Sequence, residues 1–544
     1  MSLRTPPRST GPLARAPIRL LVAAIAIAGA ALPEPARAAD PVVLTVDASK
    51  TGATISRNLF GQFAEHLGHG IYEGIWVGPG SPIPNTRGIR NDVVAALKAL
   101  KVPNVRWPGG CFADEYHWRN GVGPAGARVV TLNPNWGGVI EPNTFGTHEF
   151  MDFIDQIGSH AYLSVNLGSG TPREAAEWLE YLTAAQDTTL AKERAANGHP
   201  APYDIGYLGL GNESWDCGGN MTPEYYLSQM KIYSRFVRNY NPAQQQGPHH
   251  MLKIAVGPGG DGPRWTEWTD AVMKAWQQHT WSWDIDGLSM HNYTVVRWPP
   301  AFKSVGFGET EYSQILKSTL DMDRLIATHS AIMDKYDPDK KVALVVDEWG
   351  AWYAPLPGSH EGFLVQQNSL RDAILAALNL NIFARHADRV RMANIAQMIN
   401  VLQAMILTDR EKMVLTPTYH VFKMYVPFQD AAFVPVSVNP GTYAHGDITL
   451  PRVDAMAARD AAGTLWLAVT NLDPNQPVDV DASVTGVAAQ SVSGQTLTAP
   501  AVDSVNTFDA PETVVPRPIS GTVQNGAVHL SLPPKSVTVV SVRP

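Results

Sequence analysis

The stretch IGYLGLGNESWDCGGNMTPE, residues 205–224, contains a complete connection from a strand to a helix. Its first part is short and apolar, which is typical of a buried strand over Ile205–Asn212. Its last part places Thr222 before Pro223 and Glu224, the pattern of a capped helix start. The stretch therefore predicts one unit in which a strand is followed by a helix.

The same unit recurs from about residue 58 to about residue 397. Segments between the strands, such as Asp92–Leu100 and Glu174–Thr183, are apolar at helical spacing, and Thr171 is a second capping residue. The predicted strands are Leu59–His66, Val105–Pro108, Tyr162–Leu167, Ile205–Asn212, Lys253–Val256, Gly287–His291, Val342–Glu348 and Val390–Gln397. Eight strands separated by helices favour an α/β fold, the (β/α)8 TIM barrel. The alternative is a doubly wound sheet, but no glycine fingerprint follows the first strand.

The composition changes after residue 415. Only one of the fifteen Trp, Trp466, lies beyond residue 352, and runs rich in Val, Thr and Ser such as Leu465–Thr470 and Ser536–Val542 are typical of a β-sandwich. The N-terminal run Val42–Val46 has the same character. The predicted domains are a signal peptide over 1–38, strand structure joining the sandwich over 39–55, the catalytic barrel over 56–415, and a jelly-roll-like β-sandwich over 416–544.

The first 38 residues have the organisation of a signal peptide. Four arginines precede the apolar run Leu20–Leu32, and Ala36-Arg37-Ala38 has the form of a cleavage site. That run is short for a membrane anchor, and no later segment has the roughly 18 uninterrupted apolar residues of a membrane span. We therefore predict an exported protein, periplasmic or secreted, that is not held in a membrane.

The charge and the cysteine count exclude several classes of protein. The chain has 42 Lys and Arg against 50 Asp and Glu, a net charge of −8, which argues against a nucleic-acid binder with a basic face. Its two cysteines cannot form a disulfide framework or a multi-cysteine zinc site. Since no close set of His, Asp and Glu shows ligand spacing, we predict no metal and no cofactor.

Polar side chains lie at the predicted carboxyl-terminal ends of the strands, where a barrel keeps its active site. They are Glu65, Cys111, Asn212, Glu213, His291, Tyr293, Glu348 and Gln397. Strands four and seven face each other across an eight-stranded barrel, so Glu213 and Glu348 can approach each other. Two carboxyl groups about 5–5.5 Å apart are what a retaining glycosidase uses. Alternatively, His291 is a buried histidine whose hydrogen bonds are made within the core, and Tyr293 is an aromatic residue that only packs there.

Several motifs, in order along the chain, resemble glycoside hydrolase family 51. They are Phe60–Gly68, Ile71–Trp76, Arg106–Gly110, Gly121–Pro124, Leu210–Glu213, Val346–Trp349 and His386–Val390. The resemblance implies a (β/α)8 barrel with a β-sandwich and mainly α-L-arabinofuranosidase activity with retention of configuration. The implied partner is an arabinose-containing oligo- or polysaccharide.

The resemblance also implies roles for single residues. Glu213 matches the general acid/base and Glu348 the nucleophile, while Asn212 matches the contact to the sugar 2-hydroxyl. Glu65 and Gln397 match positions that bind arabinose hydroxyls. His291 matches a position close to the acid/base, and Tyr293 is expected to donate a hydrogen bond to Glu348.

The two cysteines depart from the family pattern. Many members have Asn, itself a sugar contact, where this chain has Cys111, and a thiol is a poor hydrogen-bond donor. Cys217 lies four residues past Glu213, also at the predicted barrel mouth. A disulfide and two separate buried thiols both remain open, because strands two and four are not adjacent and a bridge needs Cα atoms within about 7 Å.

Other functions remain open at this stage. The family resemblance leaves room for β-xylosidase or endoglucanase activity on the same scaffold. A non-catalytic carbohydrate-binding protein is an alternative of a different class. The resemblance also implies a homo-oligomer, although no motif decides the oligomeric state.

Overall fold

The computed structural model describes residues 41–543, so the predicted signal peptide over 1–38 lies outside the described residues. A closed barrel of eight parallel strands forms its centre, and each strand pairs with its neighbours in chain order. The strands are β1 (Gly61–Phe63), β2 (Asn104–Trp107), β3 (His160–Val165), β4 (Ile205–Leu210), β5 (Leu252–Ala255), β6 (Gly287–Thr294), β7 (Ala343–Ala351) and β8 (Val390–Ile395). The predicted TIM barrel is confirmed.

Eight helices follow the eight strands. They are α1 (Asn91–Leu100), α2 (Thr147–Ile157), α3 (Pro172–Thr183), α4 (Pro223–Phe236), α5 (Pro263–Gln277), α6 (Glu309–Tyr336), α7 (Leu370–Arg385) and α8 (Pro417–Met424), with an additional helix at Thr189–Ala196. Both predicted helix caps are present. The hydroxyl of Thr171 accepts the Glu174 N–H at 3.1 Å, and that of Thr222 accepts the Tyr225 N–H at 3.3 Å.

The last helix, α8, completes the ring of helices. The Tyr419 hydroxyl donates to the carbonyl of Ala96 in α1 at 2.9 Å, and the Lys423 ammonium donates to the carbonyl of Ala99 at 2.7 Å. This helix lies past residue 415, where the sequence prediction places the end of the barrel.

A β-sandwich is built from the C-terminal part of the chain and one N-terminal strand. Its first sheet contains, in spatial order, Val436–Asn439, Val42–Asp47, Val478–Thr485, Ala527–Leu532 and Thr522–Gln524; its second contains Ala432–Val434, Val453–Arg459, Leu465–Asn471, Ser536–Arg543, Ser491–Leu497 and Arg517–Ser520. Leu44 and Val480 of the first sheet pack with Leu467 and Val540 of the second in one buried cluster. Apolar side chains alternate along the strands of the first sheet, because only one of its faces meets that core. The central strands of the second sheet are buried on both faces, since they also pack against the barrel.

Short hairpins complete the chain. They pair Asn85–Thr86 with Ile89–Arg90, Thr131–Asn133 with Val139–Glu141, Ile406–Asp409 with Lys412–Leu415, and Thr442–His445 with Ile448–Pro451. Within residues 41–543 there is no helix with both the length and the apolarity needed to span a bilayer.

Helix α7 joins the two parts. Its residues from Leu370 to Ala384 are buried on every side, because the barrel covers one face and the sandwich covers the other. Arg385 at its end forms an ion pair of 2.9 Å with Asp454 of the sandwich, and Asn381 donates to the same carboxylate at 2.7 Å. The sandwich therefore packs on the side of the barrel and leaves the barrel mouth open.

Candidate active site

All eight residues predicted for the site lie at the carboxyl-terminal end of the barrel. They are Glu65 after β1, Cys111 after β2, Asn212 and Glu213 after β4, His291 and Tyr293 in β6, Glu348 in β7 and Gln397 after β8. The structure brings them together around one opening, since the strands of a closed parallel barrel end at the same face.

The Glu348 carboxyl group is buried and held at both oxygens. Arg106 donates from Nη1 to Oε1 at 2.7 Å, and the Tyr293 hydroxyl donates to Oε2 at 2.7 Å. A side chain at Gly110 would place its Cβ 2.9 Å from Glu348 Oε1, so a glycine is required there. These contacts fix the orientation of the carboxyl group toward the barrel mouth.

Glu213 lies at the turn after β4, where its φ of +37° places it in the left-handed region. Its Oε1 is 2.8 Å from His291 Nδ1, and one of its oxygens lies within 4.8 Å of a Glu348 oxygen. Burial raises the pKa of Glu213 and the negative charge of Glu348 adds to this, while the contact with His291 opposes it without cancelling it. Glu213 therefore keeps its proton to higher pH than an ordinary glutamic acid.

His291 lies between two acidic side chains. Its Nδ1 faces Glu213, and its Nε2 is 3.3 Å from Asp347 Oδ1. Burial alone would lower the pKa of His291, but the charges of Glu348 and Asp347 outweigh burial and raise that pKa to about 10. The cations of His291 and Arg106 thus lie beside the carboxylates of Asp347 and Glu348 and balance their charge.

Ligand-type atoms of Glu213, His291 and Glu348 lie within 4.8 Å of one another. A metal ion at this place would need a neutral imidazole as its ligand. In this arrangement the imidazole of His291 is flanked by acidic side chains, which raise its pKa to about 10.

Glu65 is buried deeper in the mouth. Its Oε1 accepts the backbone N–H groups of Gly110 at 2.9 Å and Phe112 at 3.2 Å, and its Oε2 accepts Gln397 Nε2 at 2.8 Å. Burial, and secondarily the charge of Glu348, raise the pKa of Glu65 to about 7. The two predicted hydroxyl-binding residues, Glu65 and Gln397, are thus in direct contact with each other.

Sequence reasoning missed Arg106 as a member of the site. It lies in β2, inside the quoted motif Arg106–Gly110, where a side chain in a buried strand resembles a core position. Its Nη2 donates to Asn212 Oδ1 at 2.7 Å while Nη1 donates to Glu348. This fixes the Asn212 amide so that its oxygen faces Arg106 and its Nδ2 remains available. The sequence feature that could have identified Arg106 is its charge, which is unusual in a buried strand two positions before Pro108.

Asp347 was also missed, because strict alternation along a strand places neighbours of Glu348 on the opposite face. The pairing of β7 with β8 shifts register between Val346 and Trp349. Such an irregularity re-aims side chains, and Asp347 reaches the barrel interior beside Glu348. There its Oδ2 accepts the Tyr162 hydroxyl at 2.7 Å.

Cys111 and Cys217 form a disulfide with their Cα atoms 5.6 Å apart. The loops after β2 and β4 meet although β3 lies between their strands. Asp114 explains this, since its carboxylate accepts the N–H groups of Leu167 and Gly168 after β3, both at 2.8 Å, and of Asn212 after β4 at 3.1 Å. One buried carboxylate therefore ties three loops together.

The disulfide changes what Cys111 can do. Its sulfur carries no hydrogen, so it cannot donate to a sugar hydroxyl as the Asn of many family members would. Cys217 Sγ lies 3.7 Å from Glu213 Oε2 and 3.7 Å from Asn212 Nδ2. The bridge therefore forms an apolar part of the wall beside Glu213 and Asn212.

The opening has two parts. A small inner cavity of about 50 Å³ is lined by Glu65, Asn212, Glu348, Gln397 and apolar side chains. An outer cleft of about 810 Å³ continues from it. The two parts share Cys111, Glu213, Tyr293 and Trp352. Glu213 thus lies at the boundary between them.

Comparison with known proteins relates both parts of the chain to α-L-arabinofuranosidases. The family model of the α-L-arabinofuranosidase 1 domain matches residues 96–298, and that of the α-L-arabinofuranosidase C-terminal domain matches residues 347–536. An intracellular exo-α-L-arabinofuranosidase of Bacteroides ovatus is 42% identical over 503 residues, which are 92% of this chain and 95% of the relative.

Solved structures are similar over the same length. The GH51 arabinofuranosidase from Xanthomonas axonopodis pv. citri is 53% identical with a TM-score of 0.89, covering 92% of this chain and 100% of that structure. The chain belongs to glycoside hydrolase family 51. An arabinose complex of an α-L-arabinofuranosidase from Thermotoga maritima is 30% identical with a TM-score of 0.80 and the same coverage. The predicted resemblance and the predicted α-L-arabinofuranosidase activity are confirmed.

A first prediction concerns the bridge in this family 51 member. Thiol titration of the denatured, unreduced protein should find essentially no free thiol, because Cys111 and Cys217 are the only cysteines of the chain. The same titration after reduction is the control and should find both thiols. Two reactive thiols before reduction would contradict the disulfide.

Proposed function

We propose that the enzyme is a retaining, exo-acting α-L-arabinofuranosidase that works by double displacement. Glu348 is the nucleophile and Glu213 is the general acid and then the base. The observation that carries the proposal is the pair of carboxyl groups with oxygens within 4.8 Å, of which one has a raised pKa and the other is held by Arg106. Closely spaced carboxyl groups are the arrangement of retaining glycosidases.

In the first step Glu348 attacks the anomeric carbon of the bound arabinofuranose. The bond from that carbon to the leaving oxygen breaks, and Glu213 transfers its proton to this oxygen. A glycosyl-enzyme ester on Glu348 results. The position of Glu213 at the boundary of the inner cavity supports this role, since the leaving group departs toward the outer cleft.

In the second step Glu213, now a carboxylate, takes a proton from water. The water attacks the anomeric carbon from the side that the leaving group vacated, and the ester bond to Glu348 breaks. Glu213 is protonated again and Glu348 is again a carboxylate. Two inversions at one carbon give net retention.

Asn212, Glu65 and Gln397 bind the hydroxyl groups of the arabinose in this proposal. Arg106 occupies the Asn212 oxygen, so the amide nitrogen is the atom offered to the 2-hydroxyl. Glu65 is oriented by two backbone N–H groups and by Gln397, which leaves acceptor capacity toward the cavity. Such contacts strengthen as the oxocarbenium-like transition state develops.

The small inner cavity supports exo action on arabinoxylan- or arabinan-type oligosaccharides, because a closed end suits one terminal sugar. The relative from Bacteroides ovatus also carries exo in its name.

β-Xylosidase or endoglucanase activity is the alternative on this scaffold, and a non-catalytic binding protein would not need paired carboxyl groups. Rates on an aryl α-L-arabinofuranoside, an aryl β-xyloside and a soluble glucan separate these functions, and hydrolysis of the first alone is expected. A homo-oligomer stays a prediction.

The stereochemistry tests the mechanism. Proton NMR of the product formed first, before mutarotation, should show arabinose with the anomeric configuration of the substrate. The non-enzymatic mutarotation rate, measured on free arabinose, is the control. An inverted first product would contradict the double displacement.

We also propose that the chain is exported to the periplasm or the medium. The basic segment, the apolar run Leu20–Leu32 and the motif Ala36-Arg37-Ala38 support a cleaved signal peptide. The disulfide at the site supports an oxidising compartment. The Bacteroides ovatus relative is named intracellular, so under this proposal the two proteins differ in their location.

Expression of the full chain in a Gram-negative host should yield a mature protein that begins at Ala39. The measurement is the intact mass of the protein from the periplasmic fraction and the medium. Replacing Ala36 and Ala38 by bulky residues should block the cleavage. An uncut chain confined to the cytoplasm would contradict export.

A further inference from the structure

Glu213 lies in a short turn, residues 213–218, which we call the acid/base turn. Strand β4 ends at Leu210, and the chain then folds back, because the N–H groups of Asp216 and Gly218 donate to the carbonyl of Glu213 at 2.7 and 3.1 Å. The φ of Glu213 is +37°, a left-handed conformation that a residue with a side chain keeps only where its surroundings hold it. Contacts around the turn must therefore hold Glu213 in this conformation.

The residue before Glu213 is fixed without the acid/base turn. The Asp114 carboxylate accepts the Asn212 N–H at 3.1 Å, and Arg106 donates to the Asn212 side chain at 2.7 Å. Neither contact reaches the Glu213 side chain. Among residues 41–543, that side chain has one hydrogen bond to a residue outside the turn, the contact of 2.8 Å with His291.

The disulfide fixes the far end of the acid/base turn. Cys217 lies in the turn and is bonded to Cys111, which belongs to the loop after β2. That loop is itself anchored on both sides of the cysteine, since the N–H groups of Gly110 and Phe112 donate to the Glu65 carboxylate at 2.9 and 3.2 Å. The bridge therefore joins the acid/base turn to a fixed part of the barrel mouth.

The bridge also lies directly beside the carboxyl group of the acid/base. Cys217 Sγ is 3.7 Å from Glu213 Oε2, whereas His291 contacts the other oxygen, Oε1. The imidazole thus lies against one oxygen of the carboxyl group and the bridge against the other. Two thiol sulfurs cannot lie as close together as two bonded sulfurs, so opening the bridge pushes the turn away from the loop after β2.

A reductant can reach this bond, since Cys217 is exposed at the rim of the outer cleft. A dithiol such as dithiothreitol attacks one sulfur of the bridge, forms a mixed disulfide and then closes on itself. The bridge gains two electrons and two protons and becomes two thiols, and the dithiol is oxidised to a cyclic disulfide. Because Cys111 and Cys217 are the two cysteines of the chain, no other bond of the protein is reduced.

We propose that the disulfide positions the acid/base, and that opening it moves Glu213 away from the leaving oxygen while Glu348 keeps its place. This proposal rests on the proposed function and adds redox control of its proton-transfer step. Glu348 is held independently of the bridge, by Arg106 at one oxygen and by Tyr293 at the other. The reduced enzyme should therefore still form the glycosyl-enzyme when the leaving group needs no proton.

The test compares the oxidised and the reduced enzyme on two substrates. We would measure kcat/KM on xylan-linked arabinose and on an aryl α-L-arabinofuranoside before and after treatment with dithiothreitol, and titrate the thiols in parallel. Reduction should lower kcat/KM roughly 10- to 100-fold on the first substrate, a part of the usual contribution of a general acid, and less than about threefold on the second. Reoxidation with oxidised glutathione should restore the original rates.

Three variants sharpen the test. The double variant Cys111→Ser, Cys217→Ser should behave as the reduced enzyme without any reductant and should not respond to dithiothreitol. In Glu213→Ala reduction should cause no further loss on either substrate, because the group that the bridge positions is absent. Asp216→Ala changes an exposed side chain of the same turn and leaves the bridge, so its ratio of the two rates should equal that of the wild type.

The possible failures are distinguishable. Equal losses on both substrates after reduction would show that the bridge supports the barrel mouth as a whole, and would overturn the proposal. Unchanged rates in an enzyme with two titrated thiols would also overturn it, as would a further loss on reduction in Glu213→Ala. An oxidised wild type that cleaves neither substrate would contradict the proposed function itself, and this appears before any reductant is added.

Discussion

Replacing Glu348 by alanine should lower kcat/KM on the order of 10⁴- to 10⁶-fold, as the loss of a covalent nucleophile does in other enzymes. The loss should be alike for an aryl α-L-arabinofuranoside and for xylan-linked arabinose, because no leaving group substitutes for the attacking oxygen. Initial rates with both substrates measure it. The variant also leaves the Arg106 guanidinium and the Tyr293 hydroxyl without the acceptor they hold, so the fold is checked separately by thermal unfolding.

Azide distinguishes loss of the nucleophile from general damage. In Glu348→Ala a small anion can enter the space of the missing carboxyl group and attack the face opposite the leaving group. The product should then be the arabinosyl azide of inverted configuration. The control is Glu115→Ala, an exposed glutamate near the disulfide whose carboxylate accepts a hydrogen bond from Asn135 Nδ2 at 3.3 Å. It should behave as the wild type.

A mild effect of Glu348→Ala, comparable to that of Glu115→Ala, would contradict the proposal that the active site lies at the barrel mouth. A loss confined to substrates with poor leaving groups would instead assign the acid to Glu348. Either of these two results would contradict the assignment of Glu348 as the nucleophile, and the same set of initial rates tests both.

Much of this site could be predicted from the sequence because strand ends meet in a parallel barrel. A carboxylate after β4 and another in β7 are distant in the chain, yet closure of the barrel brings Glu213 and Glu348 together. The predicted strand Val342–Glu348 ends early, since β7 continues to Ala351. This error in the strand end does not change the predicted position of the site, because the prediction already placed Glu348 at the barrel mouth.

Three features could not be predicted, each for a physical reason. Arg106 lies inside a buried strand, and only its partners show that it is not a core residue. Asp347 reaches the site through a register shift that alternation along a strand does not predict. The disulfide depends on loops that cross over the end of β3, and Asp114, which holds those loops, has no motif of its own. Local sequence predicts strands and caps, but not which loops meet.

Glu213→Ala should have an effect that depends on the leaving group. On xylan-linked arabinose kcat/KM should fall by roughly 10²- to 10⁴-fold, the usual contribution of a general acid, because the sugar oxygen cannot leave without a proton. On an aryl arabinoside the phenolate leaves unaided, so the first step should survive. The raised pKa of Glu213 lets the wild type keep that proton to higher pH than an ordinary glutamic acid would. Initial rates on the two substrates, compared with those of Glu348→Ala, check this.

With the aryl substrate the glycosyl-enzyme on Glu348 should accumulate in Glu213→Ala, since no base activates water in the second step. An initial burst of phenolate followed by slow turnover would show this. Added azide needs no base and attacks from the face that the leaving group vacated, so it should restore turnover and give the α-arabinosyl azide with retained configuration. The inverted azide from this variant, together with the retained azide from Glu348→Ala, would require the two roles to be exchanged. Rescue of neither variant, with both folded, would mean that the glycosyl-enzyme does not form and that water attacks directly.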